Sequence, residues 1–436
     1  PVEARVTASP LQLALIDADD VVRHIMGVGG TVSQDFARVD RERLAEVMRA
    51  HGLDALICRL PQNVVLLSGY FPVLGGSFCV VASAKDGPRM GLAVPADEAD
   101  LVRSGAVATV ETFQEETLDF IGTTLEVAGT PLAKIAKDLG ISGTVGYEGW
   151  PAPAVSAYTQ VGVPGPETLA LYRRTVPGAQ FRDASDALLE LASIKNERQI
   201  QLIEVAIETS RHGFIAARQK ITPGHTEADV AAAFLAAVYP AGFGNSLTDR
   251  LIPHVHVMSG PRAALAFQAY NLTSNRVMER GDTVLVQMEL SINGYWAELS
   301  RTFFAGEVSD FWTGAHKACV EAQDQAIEVE RDGARGADVD MAARQVMKAA
   351  GLGKEFKHGL GHGVGLQAIN HSAAPILHPA SNDSLRSGMV HNMEPAVYVD
   401  GSGGVRLNDD VLVGDNMARM LSDSIPRDLG WLVTGR

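Results

Sequence analysis

The stretch Thr283–Phe304, TVLVQMELSINGYWAELSRTFF, decides the fold, because it predicts a β-hairpin. Its Asn-Gly dipeptide at positions 293–294 separates two β-rich runs and favours the two-residue turn of antiparallel strands. With such a turn Glu289 lies opposite Glu298, and Gln287 projects from the same face of the sheet. Opposed carboxylates repel unless they share a proton, hold a cation or reach solvent. This face is therefore either a functional site or a solvated sheet surface.

Two later segments place histidines and a glutamate in unusual contexts. In His358–Pro375, HGLGHGVGLQAINHSAAP, glycines flank His362 and let the backbone approach a site closely. His371 follows nine residues later, so the two imidazoles can meet only across a loop or a neighbouring strand. In Val390–Val399, VHNMEPAVYV, Glu394 interrupts an apolar strand, and a buried glutamate needs a partner. Each segment alone is also compatible with ordinary buried side chains.

The last polar pattern lies in Gly403–Val413, GGVRLNDDVLV, where Arg406 and Asn408 alternate with apolar residues. This alternation predicts a strand that presents both side chains on one face. Because guanidinium groups match carboxylates well, Arg406 is a candidate for binding a substrate carboxylate, and Arg262 is a second one.

The composition is that of an ordinary soluble protein with a sizeable core. The 436 residues suggest two or three domains, with 46% hydrophobic and 20% charged residues. A net charge of −15 argues against nucleic-acid and anionic-membrane partners, which need a positive surface. No apolar stretch is long enough to span a membrane. Three scattered cysteines in apolar contexts indicate reduced thiols, and we expect a cytoplasmic protein.

Two domains are predicted, residues 1–190 and 191–436. In the first, a helix over Arg41–His51 is followed by predicted strands, which indicates a small α/β domain. These strands are Leu53–Leu60, Asn63–Leu67 and Phe78–Ala82, with residues 91–95 as a further strand. In the second, Asn196 precedes a long amphipathic helix, and hairpin and glycine-rich strands follow.

The order of the motifs resembles one family. Hairpin carboxylates, Gly-His-Gly, Met-Glu-Pro and Gly-Val-Arg-Leu-Asn-Asp follow one another as in creatinases, prolidases, aminopeptidases P and methionine aminopeptidases. The resemblance covers the chain from Ile194 to Arg436, and RAHGLDALICRLPQNVVLLSGY is similar to the smaller creatinase/prolidase domain. It implies an α/β (α+β) protein with an N-terminal creatinase/prolidase-like domain and a C-terminal pita-bread catalytic domain. It also implies a homodimer.

This chain departs from the family at the metal ligands. The resemblance implies five ligand positions for two metals, and they fall on Gln287, Glu298, His362, Glu394 and Asn408. Two of the expected carboxylates are neutral amides here, and an amide cannot offset the charge of a divalent cation. Glu298, His362 and Glu394 remain a workable set for one ion, and Glu289 is an extra acid on the same face. We therefore expect no metal, or at most one divalent ion such as Mn, Fe or Zn.

The proton-transfer group also departs from the family. Phe267 stands where the resemblance implies a histidine, and Arg262 stands where it implies an asparagine. His371 or His362 is then the candidate base, with Glu394 or Glu298 as its partner, and His254 and His256 are possible replacements. The expected substrate contacts are Arg262, Phe267, Gln287, Glu289, Tyr295, Arg406 and Asn408.

The leading hypothesis is a creatinase-like hydrolase that cleaves a C–N bond in a small non-peptide substrate. It would work without a dinuclear centre, by His/Glu acid–base catalysis. One alternative is a metal-dependent Xaa-Pro dipeptidase or aminopeptidase with altered ligands. A lyase and a non-catalytic binding protein on the same fold are further alternatives, because a fold alone does not determine function.

Overall fold

The computed structural model describes residues 34–73, 76–149, 165–268, 272–366, 371 and 373–435. Its α-helices are α1 Arg41–Ala50, α2 Pro61–Ser68, α3 Thr124–Val127, α4 Gly129–Leu139, α5 Pro166–Thr175, α6 Ser185–Ser193, α7 Glu197–Lys220, α8 Glu227–Phe243, α9 Asp310–Val329, α10 Gly336–Ala349 and α11 Leu429–Leu432. Short 3₁₀ helices cover Gln34–Phe36, Ala96–Leu101 and Gly260–Leu265.

The strands are β1 Ala55–Cys58, β2 Phe78–Ala82, β3 Arg89–Pro95, β4 Val107–Phe113, β5 Glu116–Thr117, β6 Phe120–Ile121, β7 Thr144–Tyr147, β8 Gln180–Asp183, β9 Leu251–Ser259, β10 Thr283–Ile292, β11 Tyr295–Ala305, β12 Val390–Met393, β13 Ala396–Val399, β14 Gly403–Arg406, β15 Asp409–Leu412, β16 Arg419–Met420 and β17 Val433–Thr434.

The N-terminal part is a six-stranded mixed sheet in the order β4-β3-β2-β1-β7-β8. A separate apolar cluster lies against each face of the sheet: one includes residues of α1, α2 and α6, the other residues of α4 and α5. The predicted strand Asn63–Leu67 is wrong, because these residues lie in α2. Pro61 occupies the first helical turn, where the fixed φ of proline favours a helix.

The C-terminal part is built around the hairpin of β10 and β11. These strands form a sheet in the order β17-β11-β10-β9, and α7, α8 and α9 pack residues into the same large apolar core. The predicted register is confirmed, since Glu289 pairs with Glu298 and Gln287 pairs with Ser300. Asn293 and Gly294 have φ values of 50° and 92°, the left-handed conformation that the predicted turn requires.

The polar face of the hairpin is buried, so the alternative of a solvated sheet surface is wrong. Every residue of β10 and β11 is buried, including Glu289 and Glu298. The cover comes from the C-terminal strands, because Ser300 and Asn408 exchange backbone hydrogen bonds of 3.1 and 3.2 Å. Carboxylates enclosed in this way must be paired, protonated or bound to a ligand.

The junction between the two parts lies near α6 and α7. Leu188 and Leu191 of α6 pack into the N-terminal core, whereas Leu202 and Ile203 of α7 pack into the C-terminal core. The limits 1–190 and 191–436 stay a prediction. No helix in the described part of the chain is long and apolar enough to cross a membrane.

Candidate active site

Glu298 and His362 form the centre of the buried polar face. Nε2 of His362 lies 3.8 Å from Oε2 of Glu298. Asn392 joins the two, because its amide nitrogen lies 3.2 Å from Oε1 of Glu298 and 3.3 Å from Nε2 of His362. Nδ1 of His362 lies 3.2 Å from the carbonyl oxygen of Gly363 and therefore carries the ring proton. Nε2 is left as an acceptor or ligand atom that faces the carboxylate.

Arg406 fills the next part of the site. It is 4% exposed, and its Nη2 donates to Oε1 of Gln287. Its Nη1 lies 3.7 Å from Oε2 of Glu394, and its Nε donates to Oγ of Ser300 at 3.3 Å. The guanidinium is thus enclosed by protein acceptors. Burial opposes ionisation of Glu394, but the neighbouring His358 and Arg406 hold the pKa of that carboxyl below its ordinary value.

Two further imidazoles border the site. The ring centroids of His362 and His371 are 4.8 Å apart. Burial and the neighbouring His362 lower the pKa of His371, so its ring is neutral near pH 7 and can accept a proton. His358 is held by the carbonyl oxygen of Gly359 at 2.7 Å and the hydroxyl of Tyr398 at 3.1 Å.

Glu289 lies next to Gln287 on the same face of β10, and its environment keeps its carboxyl group protonated at neutral pH. The amide nitrogen of Gln287 donates to Oε1 of Glu289 at 2.6 Å, and Nε2 of His256 lies 3.7 Å from Oε2. Burial, followed by the charge of Glu298, raises the pKa of Glu289 to about 8. His254 is stacked on Trp296, with ring centroids 5.7 Å apart.

Asn408 is positioned but unpartnered. Its side chain is fully buried, and among the described residues neither its amide nitrogen nor its amide oxygen has a hydrogen-bond partner. Oδ1 of Asp410 is likewise without a partner, whereas Oδ2 accepts from the backbone N–H of Glu298 at 3.1 Å. Unpaired buried polar atoms are rare and frequently mark a ligand position.

The predicted substrate contacts Arg262 and Tyr295 both have partners within the protein, and their role in substrate binding stays a prediction. Nε of Arg262 lies 3.2 Å from each carboxylate oxygen of Glu227, a fully buried residue, so the guanidinium completes an internal ion pair. Tyr295 is 1% exposed, and its hydroxyl donates to the carbonyl oxygen of Ala37 at 2.6 Å. Both side chains have distant partners that the sequence pattern does not reveal.

Phe267 borders the site through Tyr398. The two rings lie 5.4 Å apart, and Nζ of Lys357 lies 4.6 Å from the centroid of Phe267. Since the Tyr398 hydroxyl also contacts His358 and Arg406, Phe267 contributes an apolar wall to this part of the site.

The donor set does not fit two metal ions. Gln287 and Asn408 are neutral, and Gln287 is already bonded to Arg406 and Glu289. Within the described residues no three His, Cys, Asp or Glu side chains form a group that could hold a metal ion. The two donors that could face a single ion are Glu298 and His362, whose facing atoms are 3.8 Å apart.

Sequence reasoning missed three residues of the site: His358, Asn392 and Tyr398. His358 precedes His362 by four residues, and Asn392 precedes Glu394 by two, so both lie inside segments that had been singled out. The sequence feature that could have indicated them is a polar side chain close in sequence to a candidate ligand. A polar side chain within an apolar strand such as β12 must find a partner.

Known proteins share this fold and part of this sequence. The sequence model of metallopeptidase family M24 matches residues 201–415. The Xaa-Pro dipeptidase of Pyrococcus furiosus is 29% identical over 381 residues, which is 87% of this chain and 97% of that protein. The prolidase structure from Pyrococcus horikoshii has a TM-score of 0.69 at 25% identity and covers 89% of this chain and 99% of its own. An Xaa-Pro dipeptidase structure from Bacillus anthracis has a TM-score of 0.71 at 22% identity, covers 90% of this chain and 98% of its own, and supports the fold.

These similarities overturn the leading hypothesis of a creatinase-like hydrolase of a non-peptide substrate. The relatives that align with nearly their whole length are named Xaa-Pro dipeptidases. The hypothesis gave the neutral residues Gln287 and Asn408 too much weight, because a change of ligands alters metal binding without dictating which bond is cleaved. The expected family and fold are confirmed. The chain belongs to the pita-bread family of creatinases, prolidases and aminopeptidases P, metallopeptidase family M24, and is a hydrolase that acts on carbon–nitrogen bonds.

Proposed function

We propose that this chain is an Xaa-Pro dipeptidase, which hydrolyses the amide bond between an N-terminal residue and a following proline. The observation that carries the proposal is the buried pair Glu298–His362, with facing atoms 3.8 Å apart, in a chain that aligns with 97% of an Xaa-Pro dipeptidase. The altered positions Gln287 and Asn408 are the features that set it apart.

The proposed cofactor is a single divalent ion that Glu298 and His362 would hold. Such an ion would supply Lewis acidity to the scissile carbonyl. The protein prepares the pair by fixing the tautomer of His362 through Gly363 and by orienting Glu298 through Asn392.

The proton transfers fall to His371 in this proposal. Its neutral imidazole accepts a proton from the attacking water while the water oxygen bonds to the carbonyl carbon. When the C–N bond breaks, the same proton passes to the proline nitrogen, so His371 returns to its neutral form. Arg406 keeps Glu394 ionised and oriented, and Phe267 with Tyr398 shields this side of the site from water.

The setting of the enzyme is proposed from the sequence. We expect a homodimer that works in the cytoplasm on small-molecule substrates, without nucleic-acid or membrane partners. The acidic composition, with a net charge of −15, supports the last two expectations.

Turnover of defined substrates tests the proposal. The purified full chain should release proline from Ala-Pro, lose this activity after chelation and regain it with Mn²⁺. Creatine, a small non-peptide substrate, serves as the contrasting compound. Absence of Ala-Pro hydrolysis with every divalent ion tried would overturn the proposal.

A further inference from the structure

A cavity of about 720 Å³ lies where the N-terminal and C-terminal parts meet, and we call it the junction cavity. Residues of α2 and α6 line it on one side, and Lys195 and the segment 363–366 line it on the other. The proposed metal ligands Glu298 and His362 are not among the described residues that line it. We propose that the junction cavity is a second binding site, which takes a small aliphatic carboxylic acid and pairs its carboxylate with Lys195.

The first argument is the state of the Lys195 side chain. It is 6% exposed, and its Nζ donates to the carbonyl oxygen of Ser193 at 3.1 Å. A lysine ammonium has three N–H donors, and within the described part of the chain this one makes a single hydrogen bond and no ion pair. Burial without a counter-charge lowers the pKa of Lys195 to about 7. An anionic ligand would supply both the missing acceptors and the missing charge.

The second argument is that the amine borders the cavity. Ser193 and Gly365 both line the cavity, and both lie beside the end of the Lys195 side chain. A Cβ atom at position 365 would lie 2.7 Å from Cε of Lys195 and 3.4 Å from its Nζ. The absence of a side chain at Gly365 therefore leaves the amine in place at the cavity wall.

The third argument is the character of the remaining wall. Leu60, Leu188 and Leu366 contribute apolar side chains to it. The other charged residue among the described lining residues is Glu148, whose carboxylate accepts from the backbone N–H of Leu60 and the amide of Asn63. Glu148 is thus already supplied with donors by the protein, whereas Lys195 is not. A single unpaired cation beside apolar side chains matches a carboxylate on a short hydrocarbon body.

Calorimetric titration of the full chain tests the proposal without requiring turnover. The probe is 4-methylpentanoate, and 4-methylpentanamide is a neutral compound of the same shape. We expect the wild type at pH 6.5 to bind the acid at least tenfold more tightly than the amide. Lys195→Met, which keeps a long side chain without the charge, should lose this preference. Ala192→Leu, which places a larger side chain in the cavity wall, should weaken the binding of the acid at least tenfold.

The pH dependence of binding gives a second readout. The affinity for the acid should fall as the pH rises above about 7, because the carboxylate pairs with the protonated amine. The other titratable groups that act on Lys195 or line the cavity are Asp410 of β15, His391 of β12 and Glu148. Lys195→Met keeps all three, so any binding of the acid that remains in this variant should not fall over the same range.

A matched control is Lys220→Met, which removes an exposed lysine at the end of α7 and should bind both probes as the wild type does. Thermal melting confirms that each variant is folded. If Lys195→Met does not fold, the wild-type comparison of acid with amide and the Ala192→Leu variant decide the question.

Three results would overturn the inference: equal wild-type affinities for acid and amide, an undiminished preference in Lys195→Met, or no binding of the acid. Competition of the acid with Ala-Pro, seen as a higher KM at an unchanged kcat, would also overturn it, because the cavity would then belong to the substrate site. Binding of the acid by a protein that does not hydrolyse Ala-Pro would instead overturn the proposed function alone.

Discussion

Two buried polar regions of this molecule differ in whether the chain itself supplies hydrogen-bond partners to the buried side chains. In the N-terminal sheet, Glu148 is 1% exposed, and its carboxylate accepts from the backbone N–H groups of Arg59 and Leu60 and from the amide of Asn63. In the hairpin site, Asn408 is equally buried, but both of its amide atoms lack hydrogen-bond partners in the part of the chain that the structure describes. A buried polar group whose hydrogen bonds are all made within the chain stabilises the fold, and one without partners is available to a ligand. The presence or absence of hydrogen-bond partners therefore distinguishes structural from functional residues better than burial alone.

The largest expected effect on activity comes from replacing a buried glutamate by leucine, and the same replacement is made in both regions, at Glu298 and at Glu148. Glu298→Leu should lower kcat/KM for Ala-Pro by more than roughly 10²-fold, because His362 loses its carboxylate partner. Its stability should change little or increase, since the cost of burying a charge disappears. Steady-state kinetics and urea unfolding measure the two effects.

The partner experiment is Glu148→Leu, which should behave in the opposite manner. Two backbone N–H groups lose their acceptor, so unfolding should become easier by about 1–3 kcal/mol. The kcat of the folded fraction should stay near that of the wild type. A Glu148→Leu protein that is stable but inactive would break the comparison.

The next effect in size concerns His371. His371→Gln should lower kcat for Ala-Pro by roughly 10²–10⁴-fold, because the amide keeps hydrogen bonding but cannot carry a proton. KM should change much less, since the substrate contacts remain. His225→Gln is the control, because His225 lies at the start of α8 and bonds to Thr222 at 2.6 Å. A drop of the same size in both variants would point to a loss of folding rather than of catalysis.

The sequence was sufficient for features that depend on local geometry. The Asn-Gly turn and the period of two fixed which residues of β10 and β11 pair, and the structure has that register. The wrong strand prediction at Asn63–Leu67 also concerns local geometry, because an apolar run can form a strand or a helix and the preceding Pro61 favours the helix.

Features that depend on distant partners could not be read from one sequence. Arg262 is 35 residues from Glu227, and Tyr295 is 258 residues from Ala37, yet these distant partners are the ones that bind the two side chains. The polarity of Asn392 within an apolar strand indicated that it needs a partner, but which partner depends on where β12 meets the hairpin and the loop of His362. The substrate class required relatives, because neutral ligand positions alone do not specify a bond.

Lys195 is a third buried polar group, located at the junction between the two parts, and its burial affects how stability depends on pH. Its Nζ is bonded to the carbonyl oxygen of Ser193 at 3.1 Å, and burial lowers its pKa to about 7. Between that pH and its ordinary pKa of 10.5, the unfolded chain binds a proton that the folded chain does not. Stability therefore rises with pH across this window and is independent of this group below it.

Lys195→Met should remove that dependence. The stability advantage of the variant over the wild type should be greatest near pH 7 and should shrink by at most about 1.4 kcal/mol per pH unit towards pH 9. Lys220→Met, at the exposed end of α7, is the matched control and should parallel the wild type. A constant difference between wild type and Lys195→Met over this range would mean that the lysine is solvated or paired.

The smallest expected effect is that of Arg262→Met on catalysis. Because the guanidinium bonds to Glu227, its removal should change KM for Ala-Pro by less than about twofold. The melting temperature should fall instead, since the fully buried Glu227 would keep only its hydroxyl and backbone donors from Ser259 and Ser274. Arg406→Met provides the contrast, because that guanidinium contacts Gln287 and Glu394 within the site and its loss should impair turnover. A tenfold rise of KM in Arg262→Met at an unchanged melting temperature would restore Arg262 as a substrate contact and show that its ion pair opens when substrate binds.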